Sequence, residues 1–372
     1  MHSKEVITFL LAFTFVMLSV SETLESSQAT VSRISEANIA MSNAGHITST
    51  AGLTPHGPIR INKDKDCAVG SFGIVSGAGS KFNPYIIEGW AIDGTGYGYG
   101  IYLGNTTHYL VIRNCSVINA SGLWQPYFWN TAILLFNAKN VIIENNIISD
   151  SYAGIYLNWA NSNTVTNNSV KKTTVGVYVM LSDENHIAGN TIDECNYGIQ
   201  SATAENNTAR DNVLKENYWG IFLRTFTNNT DVFENVISKS DSYGIYVTDQ
   251  SALNRFYRNH FINNNPLWKQ AWDDAGTNMW SLASTGNFWS DHTGPDADKN
   301  GIVDMPYELD GGKSVHDEYP LATSLYINEN GSMLFIILVA LMFLIIPCHR
   351  RIYSDPKRGW THRRIMLRSH WQ

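Results

Sequence analysis

The chain has 372 residues and a formal net charge of -7, and 44% of its residues are hydrophobic and 12% aromatic. This composition is too apolar for a disordered chain, and four cysteines are too few for a disulfide scaffold. The acidic balance argues against nucleic acid as a partner. The unusual feature is the excess of 37 asparagines and 28 glycines, which needs a structural reason.

The first residues have the pattern of a targeting segment. Lys4 precedes an apolar run from Val6 to Val20, and polar residues follow the run directly. This order is typical of a signal peptide, and the lack of an A-x-A cleavage site leaves a signal anchor open. We therefore expect a signal peptide or signal anchor over residues 1–24 and a linker over residues 25–54.

A repeat of about 22 residues occupies residues 55–262. One glycine per unit precedes an apolar stretch, at Gly154, Gly176, Gly198, Gly220 and Gly244. An asparagine recurs in the same register, at Asn146, Asn168, Asn190, Asn212, Asn235 and Asn259. The longer step from Gly100 to Ala132 predicts an insertion over residues 121–130, rich in aromatic residues.

This period predicts the fold. A unit of 22 residues cannot bury its own apolar face, so successive units must stack on one another. The stretches alternate apolar and polar residues, which indicates short strands with one buried face. We predict an all-β, single-stranded, right-handed parallel β-helix with about seven recognisable turns. Leucine-rich repeats have a similar length, but leucine is sparse here and no helical period occurs.

Stacking also explains the asparagines. Equivalent residues of successive coils lie about 4.8 Å apart, which lets their side-chain amides hydrogen-bond in a ladder. Asparagine and glycine further serve as turn residues that tolerate a left-handed backbone. Cys115 occupies the ladder position of its own coil, which predicts that it is buried.

A column of aromatic residues is predicted on the outside of the coils. The middle residue of each Gly-Ile-x-Leu stretch points away from the core. With the residues before the glycines, this column predicts a ligand-binding face that contains Tyr102, Tyr156, Tyr178, Trp219, Phe222 and Tyr246. Such a stripe can stack on sugar rings or meet a partner protein, or it can simply stabilise the sheet.

The segment 263–325 is expected to cap the coils. It contains an acidic loop with oxygen-bearing side chains at the spacing of a calcium loop and a glycine at the sixth position. The predicted ligands of a structural calcium ion are Asp296, Asp298, Asn300, Ile302 through its carbonyl, and Asp304. The acid expected at position 12 is replaced by Tyr307, so a plain acidic turn stays open.

No catalytic pair can be identified. Glycoside hydrolysis requires two carboxylates in one cleft. The acids of the coils are scattered through turns, and the outward strand column contains none. A non-catalytic surface binding module is the first hypothesis. A polysaccharide lyase or glycoside hydrolase, and a purely structural surface rod, are the alternatives.

A second apolar run predicts a transmembrane helix over residues 331–348. The tail 349–372 has seven lysines and arginines against one acid, Asp355. The positive-inside rule places this tail in the cytoplasm and the coils outside. The chain is thus expected to be a single-pass protein of the cell membrane, mostly extracellular.

Several motifs resemble those of the NosD-like family of parallel β-helix repeats, also described as a carbohydrate-binding and sugar-hydrolase-type domain. The segment Asn83–Trp90, followed by Ile92–Gly94, is similar to the opening coil of the family. Its end motif is similar to Gly286–Asp291, Met305–Tyr307 and Glu318–Leu321. The resemblance covers residues 55–321.

The resemblance implies a secreted or surface β-helix of the type frequent in archaeal cell-surface proteins. Namesake members assist the maturation of the copper centre of nitrous oxide reductase, which leaves a metal-maturation accessory role as a further alternative. This chain has no cluster of histidine or methionine in its exterior region. The copper role is therefore not carried over, and no catalytic residue of the family can be matched.

Overall fold

The coils form three parallel sheets that run the length of a β-solenoid. The computed structural model describes residues 52–122, 130–248 and 250–324. It shows about eight turns of about 23 residues. The turns are slightly more numerous and slightly longer than the sequence predicts. In the described part of the chain, the 3-10 turn Asp64–Asp66 is the one helical element.

Each full coil contributes one strand to each sheet, so strands three apart in the chain are neighbours. Sheet 1 contains Thr54–His56, Trp90–Gly96, Ser116–Gly122, Ile147–Ser149, Ser169–Lys171, Thr191–Asp193, Val213–Lys215, Val236–Ser238, His260–Ile262 and Phe288–Trp289. Sheet 2 contains Ile74–Ser76, Tyr85–Glu88, Leu110–Arg113, Val141–Glu144, Thr164–Thr166, His186–Ala188, Thr208–Arg210, Asp231–Phe233 and Arg255–Tyr257. Sheet 3 contains Ile59–Ile61, Tyr99–Thr106, Thr131–Ala138, Ala153–Asn158, Val175–Met180, Tyr197–Ala202, Trp219–Arg224, Ile245–Val247 and Ala271–Asp273.

Two antiparallel pairings interrupt this pattern near the ends. Ile74–Ser76 pairs antiparallel with Tyr85–Glu88 at the start of sheet 2. Tyr307–Glu308 and His316–Asp317 form a separate two-stranded sheet in the C-terminal cap.

The core is a stack of aliphatic side chains inside the three sheets. The residues three before and two after each ladder asparagine are buried, for example Ile143, Ile148, Val165 and Val170. At the C-terminal end the filling becomes aromatic. Trp289 stacks on Phe261 at 4.1 Å between ring centroids and on Tyr307 at 4.0 Å. These rings fill the end of the apolar interior.

The predicted asparagine ladder is confirmed. Asn146, Asn168 and Asn190 are buried, and each side-chain Nδ2 donates to the Oδ1 of the asparagine one coil further on, at 2.9–3.0 Å. The same Oδ1 also accepts the backbone N–H of the preceding ladder asparagine. Cys115 is buried, and its N–H donates to Asn146 Oδ1 at 3.0 Å, as its position predicts.

Asparagine takes the left-handed turn conformation at many positions, as predicted, but the ladder asparagines and the glycines of the repeat do not. The left-handed residue is the one before each ladder asparagine, for example Asn145, Asn167 and Asp211, all with φ of 54°. The glycines of the repeat do not have positive φ. They are required for space, since a Cβ on Gly176 would lie 2.5 Å from the carbonyl oxygen of Gly198.

The predicted terminal segments lie outside the described residues. These are the signal at 1–24, most of the linker at 25–54, the helix at 331–348 and the tail at 349–372; residues 123–129 of the predicted insertion also lie outside. Among the residues that are described, no helix has the length and apolar character needed to cross a membrane.

Candidate functional site

The predicted aromatic column lies on the outer face of sheet 3. In-register pairing places Tyr156 beside Tyr178, Phe222 beside Tyr246, and Tyr246 beside Trp272. The column therefore continues one coil beyond its predicted end at Tyr246. Beyond Trp272 it ends at Asp310, which forms a parallel bridge with Trp272.

The N-terminal half of this column is buried rather than exposed. Tyr102, Tyr156 and Tyr178 retain 5%, 1% and 3% of their accessible surface. With Leu134 and Val175 they form a second apolar cluster that is separate from the core. Tyr156 stacks on Tyr178 at 4.8 Å, and its hydroxyl donates to the sulfur of Met180 at 3.2 Å. In this half, aromatic packing therefore takes the place of a solvent-exposed stripe.

The C-terminal half presents a continuous patch of partly exposed rings. We call it the aromatic face; it consists of Tyr197, Trp219, Phe222, Tyr243, Tyr246 and Trp272. Tyr197 stacks on Trp219 at 5.0 Å, and Tyr246 stacks on Trp272 at 5.8 Å. Ring contacts of 5.4 to 5.6 Å connect the remaining members. Stacking neighbours hold these rings side by side, which gives a rigid platform.

Polar groups stand at both ends of the aromatic face. At one end, the hydroxyl of Tyr243 donates to Asp310 Oδ2 at 3.3 Å, and the backbone N–H of Lys269 donates to the same oxygen at 3.1 Å. At the other end, Arg224 Nη2 donates to the Tyr178 hydroxyl at 3.1 Å. Burial and Asp310 together raise the pKa of Tyr243 to about 12, so this hydroxyl remains a donor at neutral pH.

The sequence analysis missed Trp272 and Asp310 as members of this surface. Trp272 lies after the last glycine of the repeat, where the period is broken. Asp310 reaches the column through the cap, 38 residues later in the chain than Trp272. The tryptophan next to Ala271, just beyond the last repeat, was the one local signal for Trp272. No local signal identifies Asp310.

The acidic loop of the cap brings three carboxylates together. Single oxygens of Asp296, Asp298 and Asp304 all lie within 4.8 Å of one another. Asn300 is part of the same turn, because its backbone N–H donates to Asp296 Oδ1 and Asp298 Oδ1 at 3.0 and 3.1 Å. Ile302 follows, and its N–H donates to Asn300 Oδ1 at 2.8 Å. Four of the five predicted ligands thus supply oxygen-bearing side chains to one small loop.

Several carboxylates of the coils have shifted pKa values, and the pKa of Asp193 is strongly raised. Asp193 lies in sheet 1 between Lys171 and Lys215 on the neighbouring strands. Burial raises its pKa to about 6, although Lys215 opposes this rise. One of its oxygens is buried and lacks a hydrogen-bond partner. It lies on a different sheet from the aromatic face.

Comparison with known proteins agrees with the fold. The model of the NosD family, described as periplasmic copper-binding protein, matches residues 80–294. A probable ABC transporter binding protein NosD from Stutzerimonas stutzeri is 35% identical over 78 residues, which are 21% of this chain and 17% of that protein. The chain thus matches only a small part of the length of this relative.

Solved structures with a similar course of the chain are more distant. The A-module of the mannuronan C-5 epimerase AlgE6 from Azotobacter vinelandii has a TM-score of 0.45 and 13% identity, with 55% of this chain and 58% of that chain covered. A DFA-IIIase from Arthrobacter chlorophenolicus has a TM-score of 0.36 and 13% identity, with 57% and 58% covered.

The description of the family names copper, but the described residues do not fit a copper site. Among His, Cys, Asp and Glu of the described part, the three aspartates of the cap are the only group of three that could hold an ion. Their oxygens suit hard cations, whereas copper favours thiolate, thioether and imidazole ligands. Cys67, Cys115 and Cys195 are buried, and burial raises the pKa of the first two thiols to about 11.

The fold, the ladder and the family motifs agree with one another. The matched region covers more than half of the chain and coincides with the coils of the solenoid. The chain therefore belongs to the NosD family.

Proposed function

We propose that this protein is a non-catalytic, membrane-anchored β-solenoid that binds glycans outside the cell through its aromatic face. The observation that supports this proposal is the row of six partly exposed rings on sheet 3. Rings held in place by stacked, tilted and edge-on contacts with their neighbours can stack on the apolar faces of sugar rings. A contiguous exposed apolar patch on an otherwise soluble domain also marks an interaction site.

The polar groups around the face support a sugar ligand over an apolar partner. Asp310 and Arg224 flank the rings and can hydrogen-bond to hydroxyl groups. A glycan combines apolar ring faces with a rim of hydroxyls, which matches this arrangement. A partner protein is the other occupant, and binding to such a protein in the absence of glycan binding would favour it.

The test is glycan binding by the full chain, purified in detergent. We expect Trp219→Ala and Tyr246→Ala each to weaken binding at least tenfold, a change of about 1.4 kcal/mol that is typical of an interface anchor. Tyr257→Ala is the matched control, since Tyr257 stacks on Phe233 at 5.0 Å on the outer face of sheet 2. No binding across a broad glycan array, or equal losses in all three variants, would refute the proposal.

A polysaccharide lyase is the second candidate, and Asp193 is the observation that favours it. A carboxylate with a pKa near 6 can accept a proton at neutral pH, as a general base must. Release of unsaturated products from uronic-acid polysaccharides, and its loss in Asp193→Asn, would establish this role. A surface rod would show neither binding nor product release.

We further propose that the acidic loop holds a structural calcium ion. The convergence of Asp296, Asp298 and Asp304 supports it, together with the calcium-loop spacing and Gly301 with φ of 87° at the sharp turn. The ion would fix the cap over the last coils.

A further inference from the structure

We infer that the glycan bound at the aromatic face is anionic, and that Arg224 recognises the carboxylate of a uronic-acid residue. This inference rests on the proposed function and assigns the chemical class of its ligand. It is carried by the way in which Arg224 is held and by the charges of sheet 3.

Two buried polar side chains, Tyr178 and Gln200, hold the guanidinium of Arg224 in place. Its Nη2 donates to the Tyr178 hydroxyl at 3.1 Å. The Gln200 amide is oriented with its oxygen toward the guanidinium, since in the opposite orientation its N–H groups would point at the N–H groups of Arg224. In this orientation the oxygen accepts from Nε at 2.7 Å and from Nη2 at 3.2 Å. Tyr178 and Gln200 are 3% and 5% exposed, so the guanidinium has a rigid base.

No carboxylate of the described residues pairs with this cation. Several other arginines of the coils have acidic partners: Arg113 has Glu88, Arg255 has Asp231 and Arg258 has Glu234. Arg224 has only neutral acceptors, which leave the two hydrogens of Nη1 without a partner in the described part of the chain. An oriented guanidinium with spare donors is suited to an external carboxylate.

The charge of sheet 3 points to the same ligand. In its strands as described, Arg60 and Arg224 are the charged side chains that face outward, and Asp273 is buried. Sheets 1 and 2 instead carry mixed charges, such as Lys171 beside Asp193 and Asp231 beside Arg255. The aromatic face is thus bordered by the cation of Arg224 at one end and by the carboxylate of Asp310 at the other, in a chain with a net charge of -7. The acidic group of a ligand would therefore lie at the Arg224 end. The repulsion of an anionic polymer by distant acids is screened beyond about 8 Å at physiological salt, whereas contact with Arg224 is not.

The position of Arg224 fits a ligand that lies along the face. Arg224 follows Phe222 by two residues in the same strand, so both side chains are on the outer side of sheet 3. A sugar stacked on Phe222 or Trp219 would therefore place a ring substituent near the guanidinium.

The experiment compares polymers that differ only in the carboxylate. The probes are polygalacturonate, alginate and hyaluronan, each beside its carboxyl-reduced form, against the full chain in detergent. We expect at least one acidic polymer to bind tenfold or more tightly than its reduced form. Arg224→Gln should remove this preference, because it should weaken binding of the acidic polymer more than binding of the reduced polymer. Arg258→Gln, which alters a surface arginine outside the aromatic face, should keep the preference.

The outcomes separate this inference from the proposed function. Equal affinity of the wild-type chain for both forms overturns the inference and leaves glycan binding intact, as does an unchanged preference in Arg224→Gln. Failure of the acidic polymers to bind overturns the inference, and the glycan array then decides the proposed function separately. If Arg224→Gln does not fold, Arg224→Lys is the second variant: it should weaken the preference, and a preference as strong as in the wild type would overturn the role of the guanidinium.

Discussion

Each ladder asparagine forms hydrogen bonds through both the nitrogen and the oxygen of its side-chain amide. Asn190 Nδ2 donates to Asn212 Oδ1, to the Val165 carbonyl and to the Ala188 carbonyl, at 2.9 to 3.2 Å. Its Oδ1 accepts two N–H groups of Asn168. A buried amide that satisfies five backbone and side-chain groups cannot be replaced by an apolar residue of similar size without leaving them unpaired.

Asn190→Ala should therefore destabilise the solenoid by about 3 kcal/mol or more, since each unsatisfied buried group costs about 1–3 kcal/mol. Urea unfolding followed by circular dichroism measures this change. Asn196→Ala is the matched control, because Asn196 is exposed in the same coil. Equal midpoints for the two variants would show that the ladder does not stabilise the fold.

Asp317 ends the ladder and gives it a pH dependence. Its carboxylate accepts the backbone N–H and the Nδ2 of Asn287, the indole N–H of Trp289 and the backbone N–H of Tyr319. Burial nevertheless outweighs these donors and raises its pKa from 3.8 to about 6. The pKa of Asp317 is higher in the folded than in the unfolded chain, so protonation of this carboxyl stabilises the fold. This stabilisation is complete below pH 3.8 and is lost as the pH rises through 6.

Between pH 4 and pH 7, the free energy of unfolding should fall in the wild type relative to Asp317→Asn. The expected difference is up to about 3 kcal/mol, from the separation of the two pKa values. Denaturant unfolding across this pH range measures it, with Asp241→Asn as a variant of an exposed acid that should keep the wild-type profile. Parallel profiles for wild type and Asp317→Asn would contradict the assignment.

At the scale of the strand, the repeated glycine controls the distance between coils. A Cβ on Gly198 would lie 2.5 Å from the carbonyl oxygen of Gly220, and one on Gly220 would lie 2.4 Å from that of Gly244. Both contacts are with backbone, which cannot move aside without breaking the sheet. The glycine column is thus a packing requirement of the stacked strands.

Gly198→Ala should lower the stability by about 2 kcal/mol or more, as expected of an overpacked site with a rigid neighbour. Thermal unfolding measures the change. Gly57→Ala is the control, since a Cβ there would contact nothing within 4 Å. A wild-type melting temperature for Gly198→Ala would show that the coils can separate at this point.

The acidic loop is an element whose order we expect to depend on an ion. Addition of calcium to the EDTA-treated protein should raise its melting temperature, since binding to the folded state alone stabilises it. Magnesium should have less effect because it demands a smaller octahedral site. Asp298→Asn and Asp304→Asn should abolish the shift, and Asp241→Asn should keep it. An unchanged melting temperature in calcium would indicate a plain acidic turn.

At the scale of the whole molecule, the two halves of sheet 3 have different surroundings. Tyr156 and Tyr178 are buried in the second apolar cluster, whereas Phe222 and Tyr246 are partly exposed. Equivalent positions in the repeat thus have different surroundings, and the aromatic face is confined to the later coils.

Attachment to the membrane is a further property of the whole chain that we propose from the apolar run at 331–348. The full chain should sediment with membranes, and removal of residues 331–372 should release it. Removal of the basic tail 349–372 alone is the control and should leave the chain in the membrane fraction. Release of both truncated forms, or of the full chain, would contradict the anchor.

The sequence by itself determined the repeat, the sheet-forming residues and the first ladder, because stacking of identical coils converts a period in sequence into a column in space. Two further ladders share this period and could have been found in the same way. One contains Asn163, Asn185 and Asn207, and the other contains Cys195 and Asn217. The convergence of the acidic-loop residues also follows from local spacing, since they belong to one turn.

Only the tertiary structure decided which outward residues are accessible and what borders them. Burial depends on what covers a face, which the repeat pattern does not encode. Tyr156 and Phe222 occupy equivalent positions, but of the two only Phe222 is partly exposed. Asp310 joins the aromatic face through the non-repetitive cap, and the polar partners of Arg224 come from two other coils. Periodic contacts in a solenoid join neighbouring coils and can be predicted, whereas Trp272 and Asp310 join the aromatic face where the period is broken.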